Sequence, residues 1–192
     1  KGKKMSKSIG NTIDPLDMIE KYGADATRMS LIGGAAPGND LALGEDKVKA
    51  YKKFANKLWN ITRFVLENTE DYDTNATHTS TDQAYEDEHM QPVVTAVTKD
   101  IEDFRLDLAA DKLYHFVWDH FASEMIEESK ILLASDDPAV RASRQKMLLH
   151  YLSSSLRMLH PFMPYITEAI WKEMPKTIKD SDMLIVAKWP TK

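Results

Sequence analysis

The chain has 192 residues, 43% of them hydrophobic and 29% charged, with no cysteine and a formal net charge of −5. That length holds one large domain, or a small one beside a larger one, and the missing cysteine excludes a disulfide framework and a thiolate zinc site. No run approaches the ~18 apolar residues of a membrane span and no signal peptide is visible, so the expectation is a cytoplasmic protein with no membrane partner.

In chain order, residues 1–13 read as loop. Asp14-Pro15 opens a helix as N-cap and first residue, which carries Leu16, Met18, Ile19 and Tyr22. Gly23 breaks it and Ala24 to Leu31 resume it. Gly33, Gly34, Pro37 and Gly38 then demand loop, and Leu41 to Leu43 is at most a short strand. Glu45 to about Glu67 is a strong helix. Residues 68–82, "NTEDYDTNATHTSTD", hold no aliphatic residue larger than Ala, which predicts a solvated, mobile linker with nothing to bury. A helix follows from about Ala84 to Phe104, entered or kinked at Pro92. Leu108 to about Leu133 is a long helix with an apolar stripe at Leu113, Phe116, Val117, Phe121, Met125, Ile126 and Leu132. Asp136-Asp137-Pro138 caps the next one, to about Leu159, and Tyr165 to Met174 is a short one. "MLIVAKWP" at 183–190 is apolar and β-rich. The expected fold class is mainly α: a helical bundle preceded by a small mixed α/β segment.

Charge is uneven. Residues 1–65 hold 12 Lys and Arg against 7 Asp and Glu, whereas residues 66–192 hold 13 against 23. A net +5 followed by a net −10 suggests a basic docking face in the first part. On a wheel at ~100° per residue, Tyr51, Phe54, Leu58, Ile61 and Val65 form the core stripe of the Glu45–Glu67 helix. Lys49, Lys53, Lys57, Asn60 and Phe64 fall opposite, flanked by Lys52, Asn56 and Arg63. Cations for phosphates, an aromatic ring for stacking and an amide for base edges are what unpaired RNA requires. The candidate RNA contacts are therefore Lys53, Lys57, Asn60, Arg63 and Phe64. His115 and His120, five apart on a helix, are expected on different faces, and no metal site is expected.

The opening "KKMSKSIGN" has the chemistry of a phosphate cradle, with ammonium groups and hydroxyls on a loop. It is not a P-loop. Lys4-Met5-Ser6-Lys7-Ser8, followed by Ile9-Gly10-Asn11, resembles the KMSKS signature of class I aminoacyl-tRNA synthetases. "IDPLDMIEKYGADATRMSLI" and "AAPGND" are similar to the stretch that follows this signature in the valine, isoleucine and leucine enzymes. "YKKFANKLWNITRF", "ADKLYHFVWDHFASEMIEESK" and "LHPFMPYITEAIW" resemble helices of their anticodon-binding bundle. "GGAAPGND" and "LIVAKWP" are most similar to the valyl branch, with the isoleucyl branch as the alternative.

The resemblance implies a KMSKS catalytic loop at 1–13, a connector at 14–44 that packs against the inner corner of tRNA, and an anticodon-binding bundle at 45–192 with a mobile linker at 67–83. It implies that Lys7 stabilises ATP phosphates, that Lys4 supports the loop and the pyrophosphate, and that Ser6 and Ser8 complete the loop. ATP with Mg2+, valine and valine tRNA are the implied ligands of the parent enzyme. Lys21 and Arg28 are candidates for backbone phosphates, although Arg28 reads rather better as an ion pair with Asp25 or Glu20. There is no HIGH-type motif and no nucleotide-binding βαβ pattern, so the expectation is a C-terminal piece of the enzyme that is inactive alone. A rival reading is a helical protein-interaction module, supported by the acidic second part.

Overall fold

The structure, a computed structural model, describes residues 5–10, 12–40 and 43–190, with the side chain of Lys7 also outside the description. Among the described residues there is no strand. Two short helices, α1 (Pro15–Tyr22) and α2 (Ala24–Ile32), lead into a bundle built from α3 (Glu45–Glu67), α4 (Ser80–Glu102), α5 (Leu106–His115), α6 (Ile126–Leu133), α7 (Pro138–Leu159) and α8 (Pro164–Glu173). The connector expected to be mixed thus holds two helices and turns where it is described, and of its possible strand only Leu43 falls within the description.

Local chemistry accounts for the helix starts. Asp14 accepts from the Leu16 amide at 2.8 Å with Pro15 at the first helical position, and Asp137 does the same for Ala139 ahead of Pro138. Gly23, at φ +92°, ends α1 and starts α2 in a backbone conformation that side chains resist. Thr79 caps α4 by accepting from the Asp82 amide, thirteen residues upstream of Pro92. Pro92 stands on an exposed face of a continuous helix.

α7 is the hub. It is buried nearly all round, from Ser143 to Leu159, which is how a central helix differs from an amphipathic surface one. Its Leu148, Leu152, Leu156 and Tyr151 pack with Phe54 and Leu58 of α3, Met90 and Val97 of α4, and Trp171 of α8 in one contiguous core. A smaller cluster of Met18, Ala26 and Val48 ties the connector to α3. Tyr51 joins the two, and its hydroxyl lies where a Cβ on Gly33 would stand, 2.1 Å away. The connector is further locked to α8. Asp25 accepts from the Tyr165 and Ile166 amides at 3.1 and 2.6 Å, capping that helix from outside.

The long helix predicted over 108–133 forms, but its middle, Phe116–Met125, is π-helical. Such wide turns bring residues i and i+5 into line, so Phe116, Phe121 and Ile126 are all buried on one side. The same geometry overturns the separation expected for the two histidines: His115 and His120 line one hollow with His89.

The 68–79 connection is anchored rather than merely solvated. Thr69 is buried and Tyr72 packs on the core. Arg141 grips Asp71 with both terminal nitrogens, and Gln145 donates to Asn68 O at 2.9 Å and to Asp71 at 2.8 Å. Those donors hold the Asp71 carboxyl down at about 2. The sequence signal was misleading because the anchors are polar groups on α7, 70 to 77 residues away. The apolar stretch at 183–190 forms a single 3-10 turn, Leu184–Val186, rather than a strand. Trp189 reaches back to Thr98 with an indole N–H bond of 2.8 Å.

Two half-buried histidines set a pH dependence. Burial pushes His78 below its ordinary 6.5, against the pull of the neighbouring Glu86, and burial pushes His160 down as well. The unfolded chain therefore takes up these protons first as pH falls. The stability they confer is complete above about 6.5 and is lost as pH drops through the lowered folded values. Urea unfolding at pH 5.5 should give a lower midpoint than at pH 7.5. A His78→Gln/His160→Gln variant should lose much of that difference, and an unchanged difference would remove both residues from the account.

Candidate nucleic-acid interface

The α3 wheel is realised on its core side: Phe54, Leu58, Ile61 and Val65 are buried. On the polar side, the tertiary structure sorts the cations. Lys47 donates to Gly33 O, and its ammonium is pushed below the usual lysine range by burial. Lys52 donates to Lys21 O at 3.1 Å and lies over the Tyr22 ring. Lys21 faces Glu45, which also accepts from the Tyr22 hydroxyl at 2.7 Å. Those cations serve the joint between connector and bundle. Lys53 is exposed, and Lys57 is half-buried with its ammonium 5.6 Å from the centre of the Trp118 ring.

Phe64 is not fully on the solvent face. It is half-buried and packs on the edge of the core. The wheel could not see the core packing that shields it. Arg63 is exposed but lies on the other flank of α3, paired with Glu67 at 3.8 Å. Asn60 is exposed between the two groups. The structure therefore brings Lys53, Lys57 and Phe64 to one flank and leaves Arg63 apart. It adds Trp118, which the sequence reading missed. This half-buried ring stacks on Tyr114 with centroids 5.8 Å apart and planes 12° off parallel. Trp59, 46% exposed, was missed as well; its signal was a tryptophan about 120° from the core stripe centre on a ~100° wheel.

At the N-terminal loop, Ser6 and Ser8 hydroxyls are 2.6 Å apart and Ile9 N–H donates to Ser6 O at 3.1 Å, closing a 3-10 turn at Lys7–Ile9. Ser8 is exposed. Lys4 and the side chain of Lys7 lie outside the described residues. In the connector, Arg28 is structural, as expected, but through different partners. It donates to the carbonyls of Pro161 at 3.0 Å and Phe162 at 3.3 Å instead of to a carboxylate. No described helix is long and apolar enough to cross a membrane.

A bundle with a cationic, aromatic flank and a preceding helical connector defines a class, and the chain belongs to the family described as the anticodon-binding domain of tRNA ligase, which it matches over residues 85–192. Residues 1–44 match a second family, the class I tRNA synthetases for I, L, M and V. Among individual proteins, the chain is 39% identical to the valine–tRNA ligase of Bacillus cereus over 99% of its length, 45% identical to that of Petrotoga mobilis over 98%, and 43% identical to that of Thermotoga maritima over 98%. It spans about a fifth of those relatives: 22%, 22% and 21% of their lengths. The fold is also that of part of the leucyl enzyme in the Agrobacterium radiobacter K84 LeuRS–tRNA–LeuAMS complex, with a TM-score of 0.70 and 22% identity, covering 99% of this chain and 23% of that one. It is likewise similar to apo methionyl-tRNA synthetase of Mycobacterium tuberculosis, with a TM-score of 0.66 and 18% identity, covering 83% of this chain and 34% of that one.

Proposed function

We propose that this chain is the tRNA-holding part of a valine–tRNA ligase, the enzyme that joins valine to its tRNA at the expense of ATP. The observation that carries the reading is the similarity to valine–tRNA ligases across nearly the whole chain. The Lys53–Lys57–Phe64–Trp118 flank supplies the chemistry: ammonium groups for phosphates and flat rings for unpaired bases. In this reading the anticodon stem-loop of valine tRNA lies on α3 within the 45–192 bundle. The 14–44 connector faces the inner corner of the tRNA, although Lys21 and Arg28 are already engaged within the protein. Asn60 would contact a base edge, and Arg63 would contact phosphate only after leaving Glu67.

The 1–13 loop is proposed to close on ATP, with Lys7 and Lys4 offsetting charge on the phosphates and Ser6 and Ser8 shaping the turn. The exposed hydroxyl turn fits an anionic ligand. Mg2+ would arrive with the ATP phosphates. Taken alone, the chain is proposed to bind tRNA without charging it, since its sequence has neither a HIGH-type motif nor a nucleotide-binding βαβ pattern. A soluble, cytoplasmic enzyme is part of this proposal.

The test is a titration with tRNA carrying a valine anticodon and with the same tRNA altered at its middle and third anticodon bases, at two salt concentrations. Binding should weaken with salt and with the base changes. Phe64→Ala should weaken it by about 5- to 150-fold, the worth of one stacked base, with the thermal midpoint monitored in parallel. Unchanged affinity in Phe64→Ala would sink the stacking role. Absence of binding even at low salt would favour the protein-interaction reading.

A further inference from the structure

The other flank of α3, on which the tRNA reading draws only through Arg63, carries a second kind of chemistry. Trp59 and Leu66 lie across the Phe54–Leu58–Ile61–Val65 stripe from Lys57 and Phe64, and they open onto a hollow of about 670 Å3. α3 forms one side, the 69–74 stretch another, and the segment after α8 a third. That volume is in the range of small-molecule sites.

The hollow has an apolar body. Its buried Thr62 and Thr69 have already turned their hydroxyls to the carbonyls of Leu58 and Val65, at 2.9 and 2.8 Å. They therefore offer methyl groups to an occupant. Trp59, Leu66, Tyr72 and Pro175 supply the remaining apolar and aromatic wall. The rim is acidic, with Glu67, Glu70 and Glu173. Arg63 is the one cation among the lining residues, and it faces Glu67 at 3.8 Å. Among the described residues, neither Glu70 nor Glu173 pairs with a cation. Lys176, next to Pro175, is exposed and does not line the hollow. Two carboxylates thus stand unbalanced over aromatic and aliphatic walls.

Charge decides the ligand class. An anion is repelled, and a nucleotide brings its phosphate against two like charges. An organic cation gains from both parts: its body displaces water from apolar wall, and its ammonium groups meet the carboxylates and the ring of Trp59. The walls are held in place. Gln145 and Arg141 pin Asn68 and Asp71 beneath the 69–74 stretch, and buried Met174 fixes the end of α8. A cavity of this kind, closed on three sides, takes up the body of a small molecule rather than meeting a flat protein surface.

We propose that this hollow binds a linear aliphatic diamine or polyamine, its methylene chain against Trp59, Leu66 and Pro175 and its ammonium groups at Glu70 and Glu173. The site is independent of the tRNA reading, and failure of either leaves the other standing. Isothermal titration of the 192-residue chain with putrescine and spermidine at fixed ionic strength tests it, with N,N′-diacetylputrescine as an uncharged analogue. Saturable binding with a Kd of about 1 mM or tighter is expected, and none for the diacetyl compound. Glu70→Gln/Glu173→Gln should bind about tenfold more weakly, the effect of two exposed charge contacts, with its unliganded urea midpoint unchanged. Tryptophan fluorescence should respond to spermidine in the native chain and not in Trp59→Phe. A signal that never saturates, equal affinity in the double variant, or binding of arginine amide but of neither amine would overturn the proposal.

Discussion

Replacing Asp82 by Ala should lower the unfolding free energy by about 3–5 kcal/mol, the usual consequence of stripping one partner from a buried ion pair. Asp82 and Arg144 are 4% and 3% exposed and meet at 2.7 Å. Asp82 also accepts from Ser143, and its own amide donates to Thr79, so one side chain links the start of α4 to α7. Arg144 has little else to turn to. Its Nε and one terminal nitrogen have no hydrogen-bond partner among the described residues, and its guanidinium lies 5.7 Å from the Tyr85 ring. Without Asp82 a guanidinium would stand in the core with no counter-charge. Urea unfolding of Asp82→Ala measures the loss. Asp82→Ala/Arg144→Met should recover most of it, because an apolar pair of similar volume is often as stable as the buried ions. A cost below about 1 kcal/mol for the single change would mean that water reaches Arg144 and that the pair does not hold the helices together.

Trp171→Ala should cost a similar amount, about 3–5 kcal/mol, from lost apolar burial and the cavity left behind. Trp171 is fully buried on α8 and is among the largest such side chains in the core. It also does two things a simple core residue does not. Its indole N–H donates to Ser181 O at 3.0 Å, and the Arg157 guanidinium sits 5.0 Å from its ring centre. Arg157 in turn pairs with Asp180 at 3.1 Å. Removing the ring therefore loosens the 180–186 stretch together with the core. Amide exchange in residues 181–187 should speed up in the variant more than exchange in α3. A uniform change across both would show that the indole contributes volume alone.

The helix starts and most of the long helices were legible in the sequence because their causes are local. Asp14-Pro15 and Asp137-Pro138 satisfy the first amide groups of their helices within two residues. The spacing of Phe54, Leu58, Ile61 and Val65 names a buried stripe on any 3.6-residue helix. The loop word Lys4-Met5-Ser6-Lys7-Ser8 and the helix words after it carried the family, which the match over residues 85–192 establishes. What misled the reading was nonlocal. A segment with no large aliphatic residue looked empty until Arg141 and Gln145 of α7 were found holding it. Phe64 looked free on a wheel because a wheel has no neighbours. His115 and His120 looked separated because an ordinary helical period was assumed through a π-helical stretch.

By itself, then, the sequence determined the helical class, the caps, the core stripe of α3 and the kinship with tRNA ligases, all of which rest on contacts within a turn or two or on words of several residues. Only the tertiary structure decided which charges are available. Lys21, Lys47, Lys52 and Arg28 are spent on carbonyls, a ring and a carboxylate within the protein, while Lys57 lies beside Trp118 and Lys53 is exposed on the same helix. Glu70 and Glu173, which pair with no cation among the described residues, line a hollow with Trp59 on the other flank. Net charge along the chain cannot make that division. The field at a surface depends on which side chains are already neutralised at hydrogen-bonding distance, and those partners lie up to 134 residues away, as with Arg28 and Phe162.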